Sequence, residues 1–309
     1  MSTEIYLEYD WKNHKELYQH GRIEIAGYTN VGKKRESKPN EDRFGISRID
    51  INRKIYSFGV VADGMGGERD GADAAQLVID TMPHIVSEAL LTSPDPVSAL
   101  RKAIVEIDER QFVGNKGKKK SGATVAAFIL DQDGNYWATR MGDARVIVDG
   151  KSIFEDESVA ATLVAVGDIT AEQAYSLPTR NLVLGNTGGR TFIEPTSKDG
   201  PDKDIFRTLK LEEVDIHVGR ISNDILACSD GLWEEIGNHE VQEKQLINSE
   251  LSSIIVTSIN TEEAVQQLVD KAIEYGGNDN ITALLAKISK PAISDMAPTI
   301  RRAAQEPTT

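Results

Sequence analysis

The sequence predicts an α+β fold in which antiparallel β-sheets are layered against groups of helices. Short apolar or alternating runs bounded by Gly, Asp and Asn recur along the chain, and such runs are typical of strands. Two of these runs are joined by Asp133-Gly134-Asn135, a turn typical of antiparallel neighbours. Helical patterns are grouped between runs of strands, whereas a doubly wound parallel sheet needs the two to alternate.

The predicted strands follow one another from residue 22 to residue 288. In chain order they are "RIEIAGY", "DRFGIS", "RKIYSFGVVAD", "GATVAAFILD", "NYWATRMGD", "ARVIVDG", "TLKLEEVDIHV", "DILACSD" and "NITALLAKI". Three helices are predicted with them. Apolar residues at spacings of three and four indicate two neighbouring helices, over 71–90 and in "PDPVSALRKAIVEIDERQF". The third begins at Thr261, after an Asn260 cap, and ends at paired glycines.

Composition excludes several classes of partner. The chain has 309 residues, 39% of them hydrophobic, and a net charge of -14, so it can bury one large core or two smaller ones. An acidic surface repels phosphate backbones and anionic lipids, which argues against nucleic acid and membrane as partners. The N-terminal stretch lacks the basic flank and apolar segment of a secretory signal, so we expect a cytoplasmic protein.

Cysteine and histidine provide no sign of a zinc or redox site. Cys228 is the one cysteine and lies in an apolar run, where it is expected to be a small buried residue. The five histidines, at positions 14, 20, 84, 217 and 239, have no chelating spacing. Zinc is therefore disfavoured.

Acidic residues stand at the edges of four predicted strands. Taken singly, each fits a turn, because Asp-Gly and Asn-Asp are common turn formers. Together, with glycine beside or near each one, they favour a shared cation site, because buried carboxylates need compensating charge. The four are Asp63, Asp143, Asp230 and Asp279, and Glu41 and Asp42 add a fifth acidic element at the start of another strand.

A set of oxygen ligands selects hard cations such as Mg²⁺ or Mn²⁺. Gly64, directly after Asp63, is a candidate backbone ligand because no side chain blocks its carbonyl. The stretch does not match an EF-hand, since Met65 and Gly67 stand where oxygen ligands are required. It also lacks the last glycine of a dinucleotide fingerprint and the Gly-Lys-Ser/Thr of a P-loop.

Six motifs in order resemble the metal-dependent type-2C (PPM) serine/threonine protein phosphatases, in particular the bacterial type. They are "NEDRFG", "VADGMGG" with "GADAAQ", "SGATVAAFIL", "MGDARVIV", "LACSDGLWEEI" and "GGNDNIT", and they span about residues 22–287. The resemblance implies a four-layer αββα sandwich, with two antiparallel β-sheets flanked by helices. It also implies a catalytic domain over 1–287. The remaining 288–309, rich in Pro, Ala, Ser and Thr, is expected to be a mobile tail.

By the same resemblance, two Mg²⁺ or Mn²⁺ ions activate a water that hydrolyses phosphoserine and phosphothreonine monoesters. Asp63 would bridge the two ions, Gly64 would bind one through its carbonyl, and Asp230 and Asp279 would hold the other. Asp143 would help bind a third, weaker ion, and Glu41 and Asp42 would orient metal-bound waters. Ser229 is interpreted as structural, since no base is paired with it in sequence.

Three positions depart from the family pattern. Met65 stands where many members have a proton-donating His, so water would supply that proton. Ser37 occupies the usual place of a phosphate-binding arginine; Arg35 is the candidate in its stead, with Lys33 and Lys38 as alternatives. The motif "EDES" has Glu157 where relatives often have His.

Two segments and two rival functions remain open. The basic run from Lys116 to Lys120 is either a solvated loop or a surface that attracts phosphopeptides, and segment 155–200, with two short helical patterns, corresponds to a flap that often governs substrate choice in relatives. The rivals are a catalytically silent regulatory module on the same fold and a small-molecule phosphoesterase.

The expected partners are phosphorylated proteins and a cognate serine/threonine kinase, and the expected state is a monomer.

Overall fold

Antiparallel pairing builds both large sheets of the protein, which we describe from a computed structural model. The structure describes residues 11, 13–51, 53–66, 69–118, 120–170, 173–174, 177, 182–194, 203–238 and 244–289. The strands are β1 (Asn13–His20), β2 (Ile23–Asn30), β3 (Asp42–Ile51), β4 (Lys54–Met65), β5 (Gly122–Asp131), β6 (Asn135–Met141), β7 (Arg145–Val148), β8 (Lys151–Ser152), β9 (Arg190–Glu194), β10 (Lys203–Arg207), β11 (Ile216–Arg220), β12 (Asp224–Cys228) and β13 (Ile281–Ile288).

The first sheet has six strands in the order β1-β2-β13-β12-β7-β8, and the second has five in the order β11-β6-β5-β4-β3. A separate hairpin joins β9 and β10. In β5, at the centre of the second sheet, every residue except Asp131 is buried, which explains the unbroken apolar run in its sequence. The predicted turn between β5 and β6 is confirmed, with Gly134 at a φ of 87°.

Helices cover the outer face of each sheet. They are α1 (Arg69–Thr92) and α2 (Pro96–Gly114) on one sheet and, on the other, α4 (Asp230–Asn238), α5 (Lys244–Thr257) and α6 (Thr261–Tyr275), whereas α3 (Val159–Ala165) lies between β8 and β9 in the chain. One apolar cluster lies between the second sheet and α1 and α2, another between the first sheet and α4 to α6, and a third between the two sheets. This arrangement confirms the four-layer αββα sandwich.

Helix capping follows the sequence signals. The Asp95 carboxylate accepts hydrogen bonds from the backbone N–H groups of Val97 and Ser98 at the start of α2, and Pro96 occupies the first helical position. At α6, the Asn260 side chain accepts from the N–H of Glu263 at 2.8 Å. The predicted start of α6 is thereby confirmed.

One predicted strand is partly wrong. The sequence pattern places a strand over 208–218, but Leu211–Glu213 form a 3₁₀ turn and β11 begins only at Ile216. The cause is the Glu213 carboxylate, which accepts hydrogen bonds from the Arg207 guanidinium and from the Lys210 N–H and so closes the turn. A long-range pattern of alternation does not detect such a local bond.

Other elements have weaker sequence signals. The pattern does not predict the polar edge strand β1, the hairpin β9–β10, or the helices α4 and α5. At the C-terminus, β13 ends at Ile288. The predicted mobile tail is 288–309, and its residues after Ser289 lie outside the described residues. Within the described part of the chain, no helix is both long and apolar enough to cross a membrane.

Several strands begin or end at the same edge of the sandwich. In the second sheet Asp42, at the start of β3, is opposite Asp63 near the end of β4. The end of β4 and the end of β6 are adjacent to the start and early part of β5, respectively. In the first sheet the last residue of β12 is opposite Ala283, early in β13. The acidic motifs all follow or precede these strand ends.

Candidate metal centre

Acidic residues from both sheets meet at this edge. Asp42 and Asp63 face each other across β3 and β4, and the N–H of Gly64 donates to the Glu41 carbonyl at 3.2 Å. Asp230 begins α4, two residues after β12 ends, and Asp279 stands two residues before β13 begins. Asp143 follows β6 by two residues. The structure therefore brings together the acids that the sequence analysis selected.

Asp42 is held by hydroxyl groups of the opposite sheet. Its Oδ2 accepts hydrogen bonds from Ser229 Oγ and from Thr282 Oγ1, each at 2.7 Å. The Thr282 and Thr29 hydroxyl oxygens are 2.7 Å apart, and the Asn40 side chain donates to Thr29 at 2.9 Å. This chain of hydrogen bonds ties the two sheets together. Within this chain the Ser229 hydroxyl donates to Asp42 and so helps to position its carboxylate.

Burial and mutual repulsion raise the pKa values of the clustered acids. Burial is the larger cause for Asp63, whose pKa lies well above its ordinary value, and the neighbouring charges of Asp42 and Asp230 add to it. The pKa of Asp42 is raised to about 7 and that of Asp230 to about 6, again first by burial. Asp143 is shifted in the same direction by burial and by Asp230. Such a cluster is costly to ionise without a compensating cation.

The acids differ in their exposure to solvent. Asp42 and Asp143 are buried, whereas Asp63 and Asp230 are only partly buried. Asp279 is the most open, with 42% of its side chain exposed. A small ligand can therefore reach these carboxylates from solvent.

Arg35 contacts two of the acids directly. It lies in a 3₁₀ turn, Lys33–Arg35, and its guanidinium forms ion pairs with Glu41 and with Asp279. The other two basic candidates from the sequence, Lys33 and Lys38, are exposed. Burial raises the pKa of Glu41, and the charges of Arg35 and, to a lesser degree, Lys38 oppose that rise. The structure thus brings Arg35, two positions before the usual arginine, into the site.

Glycines allow close approach of backbone and carboxylate here. A Cβ on Gly64 would lie 2.0 Å from the Gly71 carbonyl oxygen, and one on Gly71 would lie 2.3 Å from Glu41 Oε1 and 2.9 Å from the Gly64 carbonyl oxygen. No side chain fits at either position. The first turn of α1 therefore packs against the Gly64 carbonyl and the Glu41 side chain.

The Asp143 turn is fixed from the side of α4. Trp233 donates from Nε1 to the Asp143 carbonyl at 3.0 Å, and the Arg145 guanidinium stacks 3.4 Å from the Trp233 ring centroid. Arg145 is held in turn by Asp156. These contacts orient the turn that carries Asp143.

The residues fit a site for hard cations. At this edge, among the residues that the structure describes, the buried carboxylate oxygens Glu41 Oε1 and Asp42 Oδ1 accept no hydrogen bond, and the buried donor Arg35 Nε has no acceptor. Acceptors without donors are where a cation is expected, and all the candidate ligands are oxygens. Among the described residues, no three Asp, Glu, His or Cys side chains already surround one point as a finished ligand shell. The Arg35 guanidinium stands between two of the acids.

The acids are positioned by polar residues that the sequence does not mark as part of the site, although Ser229 is correctly interpreted as structural. Besides Ser229 and Thr282, the Asn280 side chain accepts from the N–H of Glu41 at 2.8 Å and donates to the Val31 carbonyl at 2.9 Å. The available signal was a polar residue inside an otherwise apolar strand or next to an acid, as in "NDNITALL". Such polar residues are common in strands. Their role can be recognised only when the position of the hydrogen-bond partner is known.

The basic loop before β5 is largely in solvent. Lys116 and Lys118 are exposed, and Lys120 forms an ion pair at 2.9 Å with Asp70, in which the two side chains are 62% and 42% exposed. Lys119 lies outside the described residues. The solvated-loop interpretation accounts for these positions, since exposed pairs of this kind contribute little to stability.

Comparison with known proteins gives consistent matches along most of the chain. The model of the protein phosphatase 2C family matches residues 31–272. The serine/threonine phosphatase stp of Listeria monocytogenes is 28% identical over 257 residues, which cover 80% of this chain and 90% of that protein. Protein phosphatase PhpP of Streptococcus pneumoniae is 25% identical over 276 residues, covering 87% of this chain and 98% of that protein.

Solved structures show the same fold. The serine/threonine phosphatase Stp1 from Staphylococcus aureus matches with a TM-score of 0.66 and 23% identity, over 90% of this chain and 98% of that one. The serine/threonine phosphatase PstP/Ppp of Mycobacterium tuberculosis matches with a TM-score of 0.59 and 25% identity, over 87% of this chain and 99% of that one. The sandwich and its helices are common to these molecules.

Proposed function

Because the chain belongs to the protein phosphatase 2C family and is a serine/threonine protein phosphatase, we propose that it hydrolyses phosphoserine and phosphothreonine monoesters at the acidic edge of its sandwich. The observation that carries the proposal is the set of buried atoms without partners there. In the described chain, Glu41 and Asp42 present acceptors that lack a donor, and Arg35 presents a donor that lacks an acceptor. Water held by a cation would satisfy the acceptors, and a phosphate oxygen would satisfy the donor.

Asp63, Gly64, Asp230 and Asp279 are the residues that would hold two Mg²⁺ or Mn²⁺ ions, with Asp63 shared and Asp143 available to a third, weaker ion. The site chemistry supports this assignment, and one structural neighbour, the catalytic domain of PstP, was solved in complex with two manganese ions. When bound, such ions lower the pKa of water and neutralise charge on phosphoryl oxygens.

The chain's own residues orient the reactants. The two hydroxyl groups bonded to Asp42 Oδ2 fix its carboxylate, so that Oδ1 can accept a hydrogen bond from a water molecule at the edge. The Arg35 guanidinium would bind the phosphate of the substrate with planar, paired donors. Met65, at the end of β4, has no proton to donate. The leaving alkoxide therefore takes its proton from water.

Comparing substrates tests the proposal. The purified protein with Mn²⁺ should hydrolyse phosphothreonine peptides with a higher kcat/KM than p-nitrophenyl phosphate, and EDTA should stop both reactions. A preference for small esters over every peptide would favour the small-molecule phosphoesterase. Folded, metal-loaded protein without turnover would favour the silent module. The cognate kinase, the monomeric state and the cytoplasmic location belong to the same proposal.

Replacing Arg35 should separate phosphate binding from metal binding. We expect Arg35→Ala to lower kcat/KM for a phosphopeptide by about 10- to 100-fold, mainly through KM, because a hydrogen bond to a charged group contributes about 1.5–3 kcal/mol. The same variant should bind Mn²⁺ more tightly in calorimetric titration, because Glu41 and Asp279 lose a competing cation. Arg35→Lys should recover little of the activity.

The matched control is Lys33→Ala, which removes an exposed cation from the same turn. It should stay within about twofold of the wild type in kcat/KM. If Lys33→Ala or Lys38→Ala lowers kcat/KM while Arg35→Ala does not, the phosphate-binding role passes to that lysine.

A further inference from the structure

The two acids proposed to orient water stand at the start of an edge strand. Among the described strands, β3 is the last in the second sheet and pairs with β4 on one side only. Glu41 directly precedes β3 and Asp42 is its first residue. Backbone groups on the outer side of an edge strand have no ladder partner, so other contacts must hold them in place.

The Arg43 guanidinium binds the backbone on both sides of Glu41. Its Nη1 donates to the Asn40 carbonyl at 2.8 Å and to the Asp42 carbonyl at 2.7 Å. Its Nε donates to Gln76 Oε1, on α1, at 2.9 Å. One side chain therefore ties the backbone around the two acids to the first helix.

Trp11 contacts the same place from an earlier part of the chain. Its carbonyl accepts a hydrogen bond from the Asn40 side-chain amide at 2.7 Å. The centroid of its ring lies 5.0 Å from Arg43 Cζ and 5.8 Å from the centroid of the Phe44 ring, to which it is nearly perpendicular. Trp11 also packs against the cluster between the sheets and against the cluster below α1 and α2. Its aromatic ring thus attracts the guanidinium and lies against the start of β3.

Asn40 connects the two supports. Besides its bond to Trp11, its amide donates to Thr29 Oγ1 at 2.9 Å, and its Oδ1 accepts from the N–H of Asp42 at 3.0 Å. Asn40 and Arg43 are both buried, and buried polar groups are tolerated where hydrogen bonds satisfy them. Burial lowers the pKa of Arg43 to about 10, so its guanidinium is still charged at neutral pH. We call Trp11, Asn40 and Arg43 the β3 clamp.

The β3 clamp holds the backbone from which two unsatisfied acceptors project. At this edge, among the described residues, Glu41 Oε1 and Asp42 Oδ1 accept no hydrogen bond. Hydroxyl groups of the opposite sheet fix the other oxygen of Asp42, whereas the clamp fixes the main chain on either side of Glu41. The direction of both carboxylates therefore depends on the clamp. Removing a group that supports the residues of a metal site typically lowers metal affinity or activity by about 10- to 100-fold.

We propose that Arg43 and Trp11 are positioning residues, which hold the start of β3 so that the Glu41 and Asp42 carboxylates orient water at the cation site. The inference rests on the proposed function, because that function assigns water to these two carboxylates. Trp11 lies before residues 31–272, which the family model matches. The chain thus supports its site from outside the matched region.

Replacing Arg43 tests the first half of the proposal. Mn²⁺ alone is titrated by calorimetry into the wild type, Arg43→Met and Arg43→Lys, and each protein is melted in EDTA. We expect Arg43→Met to lower both Mn²⁺ affinity and kcat for a phosphopeptide by about 10- to 100-fold. KM should stay within about threefold, because Arg35 is the residue proposed to bind phosphate. Arg43→Lys should recover little, since an ammonium group cannot reproduce the guanidinium fork.

A folded Arg43→Met protein that melts at a lower temperature but keeps the Mn²⁺ affinity and kcat of the wild type would show a purely structural role and overturn the proposal. If Arg43→Met does not fold, Gln76→Leu replaces it, because it removes the acceptor of Arg43 Nε. That variant should lower Mn²⁺ affinity by about two- to fivefold, and unchanged affinity would be evidence against the clamp.

Replacing Trp11 tests the second half. Trp11→Leu keeps an apolar side chain but loses the aromatic face, whereas Trp11→Phe keeps a face that can attract the guanidinium. We expect Trp11→Leu to lower Mn²⁺ affinity and kcat by about 3- to 10-fold and Trp11→Phe to stay within about twofold of the wild type. Equal losses in the two variants would mean that Trp11 contributes packing alone and would contradict its positioning role.

The matched control is Trp137→Leu. Trp137, on β6, packs against the same cluster below α1 and α2 and lies edge-on to the Tyr56 ring, with 6.3 Å between the ring centroids. This variant should melt at a lower temperature than the wild type but keep Mn²⁺ affinity and kcat within about twofold. A loss of kcat as large as that of Trp11→Leu would count against the clamp, because any lost aromatic packing would then have the same effect.

The outcomes separate this inference from the proposed function. If the wild type binds Mn²⁺ and hydrolyses phosphopeptides, and Arg43→Met and Trp11→Leu do so equally well, the clamp is wrong and the proposed function stands. If the wild type neither binds a divalent ion nor hydrolyses any phosphoester, both are wrong.

Discussion

Asp63→Asn is expected to abolish turnover while the protein stays folded. Asp63 lies opposite Asp42 and is electrostatically coupled to Asp42, Asp143, Asp230 and Asp279. An amide in its place would remove the charge that two cations are proposed to share. Because such cations contribute several kcal/mol to transition-state stabilisation, we expect kcat/KM for a phosphopeptide to fall at least about a thousandfold.

The same substitution should not destabilise the metal-free protein. Burial and neighbouring acids raise the pKa of Asp63, so its ionised form is unfavourable in the folded state. A neutral amide of the same shape relieves that repulsion. Thermal melting in EDTA should therefore show Asp63→Asn with a melting temperature equal to or above that of the wild type, whereas added Mn²⁺ should raise the wild-type value more.

The matched control is Asp133→Asn, an exposed residue of the turn between β5 and β6. It should leave both kcat/KM and the Mn²⁺-induced stabilisation within about twofold of the wild type, since exposed sites away from such features have small effects. Activity of Asp63→Asn within about tenfold of the wild type would contradict the assignment of Asp63, whatever its effect on stability.

Metal-free protein should lose stability as the pH rises from about 4 to above 7. Carboxyl groups of the unfolded chain have pKa values near 4. In the folded protein the pKa of Asp230 is about 6 and that of Asp42 about 7, and those of Asp63 and Asp143 are also raised. The folded state therefore binds more protons than the unfolded state over this range. The stabilisation is fully present below pH 4 and is lost as pH passes through the folded pKa values.

Mn²⁺ should reverse this trend, because cations bind deprotonated carboxylates and their stabilisation grows with pH. Melting temperatures at pH 5 and pH 8, each with EDTA and with Mn²⁺, provide the measurement. Asp224, outside the site, also has a raised pKa, about 6, and contributes with the same sign. The Asp63→Asn variant isolates the site, and its dependence on pH in EDTA should be weaker. A wild-type protein that melts higher at pH 8 than at pH 5 in EDTA would contradict the prediction.

Much of the fold follows from local patterns in the chain. The buried run of β5, the Asn260 cap of α6 and the Gly134 turn depend on neighbours within a few residues, so their sequence signals are complete. The strand predicted over 208–218 is partly wrong because a side-chain contact there outweighs the local pattern. The Arg207–Glu213 bond closes a turn that the apolar alternation does not reveal.

The site divides in a similar way. Glycine-flanked acids at strand ends predict which carboxylates gather, because strand direction carries those ends to one edge. Their supports depend on contacts between distant parts of the chain: Asp42 is held by Ser229 and Thr282. These hydroxyl groups reach Asp42 only when the two sheets pack against each other. No spacing along the sequence identifies them as its partners.

The sequence by itself thus determined the layered α+β class, the family and the acids of the candidate metal centre. Only the tertiary structure decided that Arg35 reaches Glu41 and Asp279, and that Trp11 contacts Asn40 and Arg43 at the start of β3. The physical reason is the distance along the chain over which each kind of interaction acts. Helix and strand periods and turn preferences act between near neighbours, whereas hydrogen bonds and ion pairs join whatever side chains the packing of the sheets and helices brings within about 3 Å of each other.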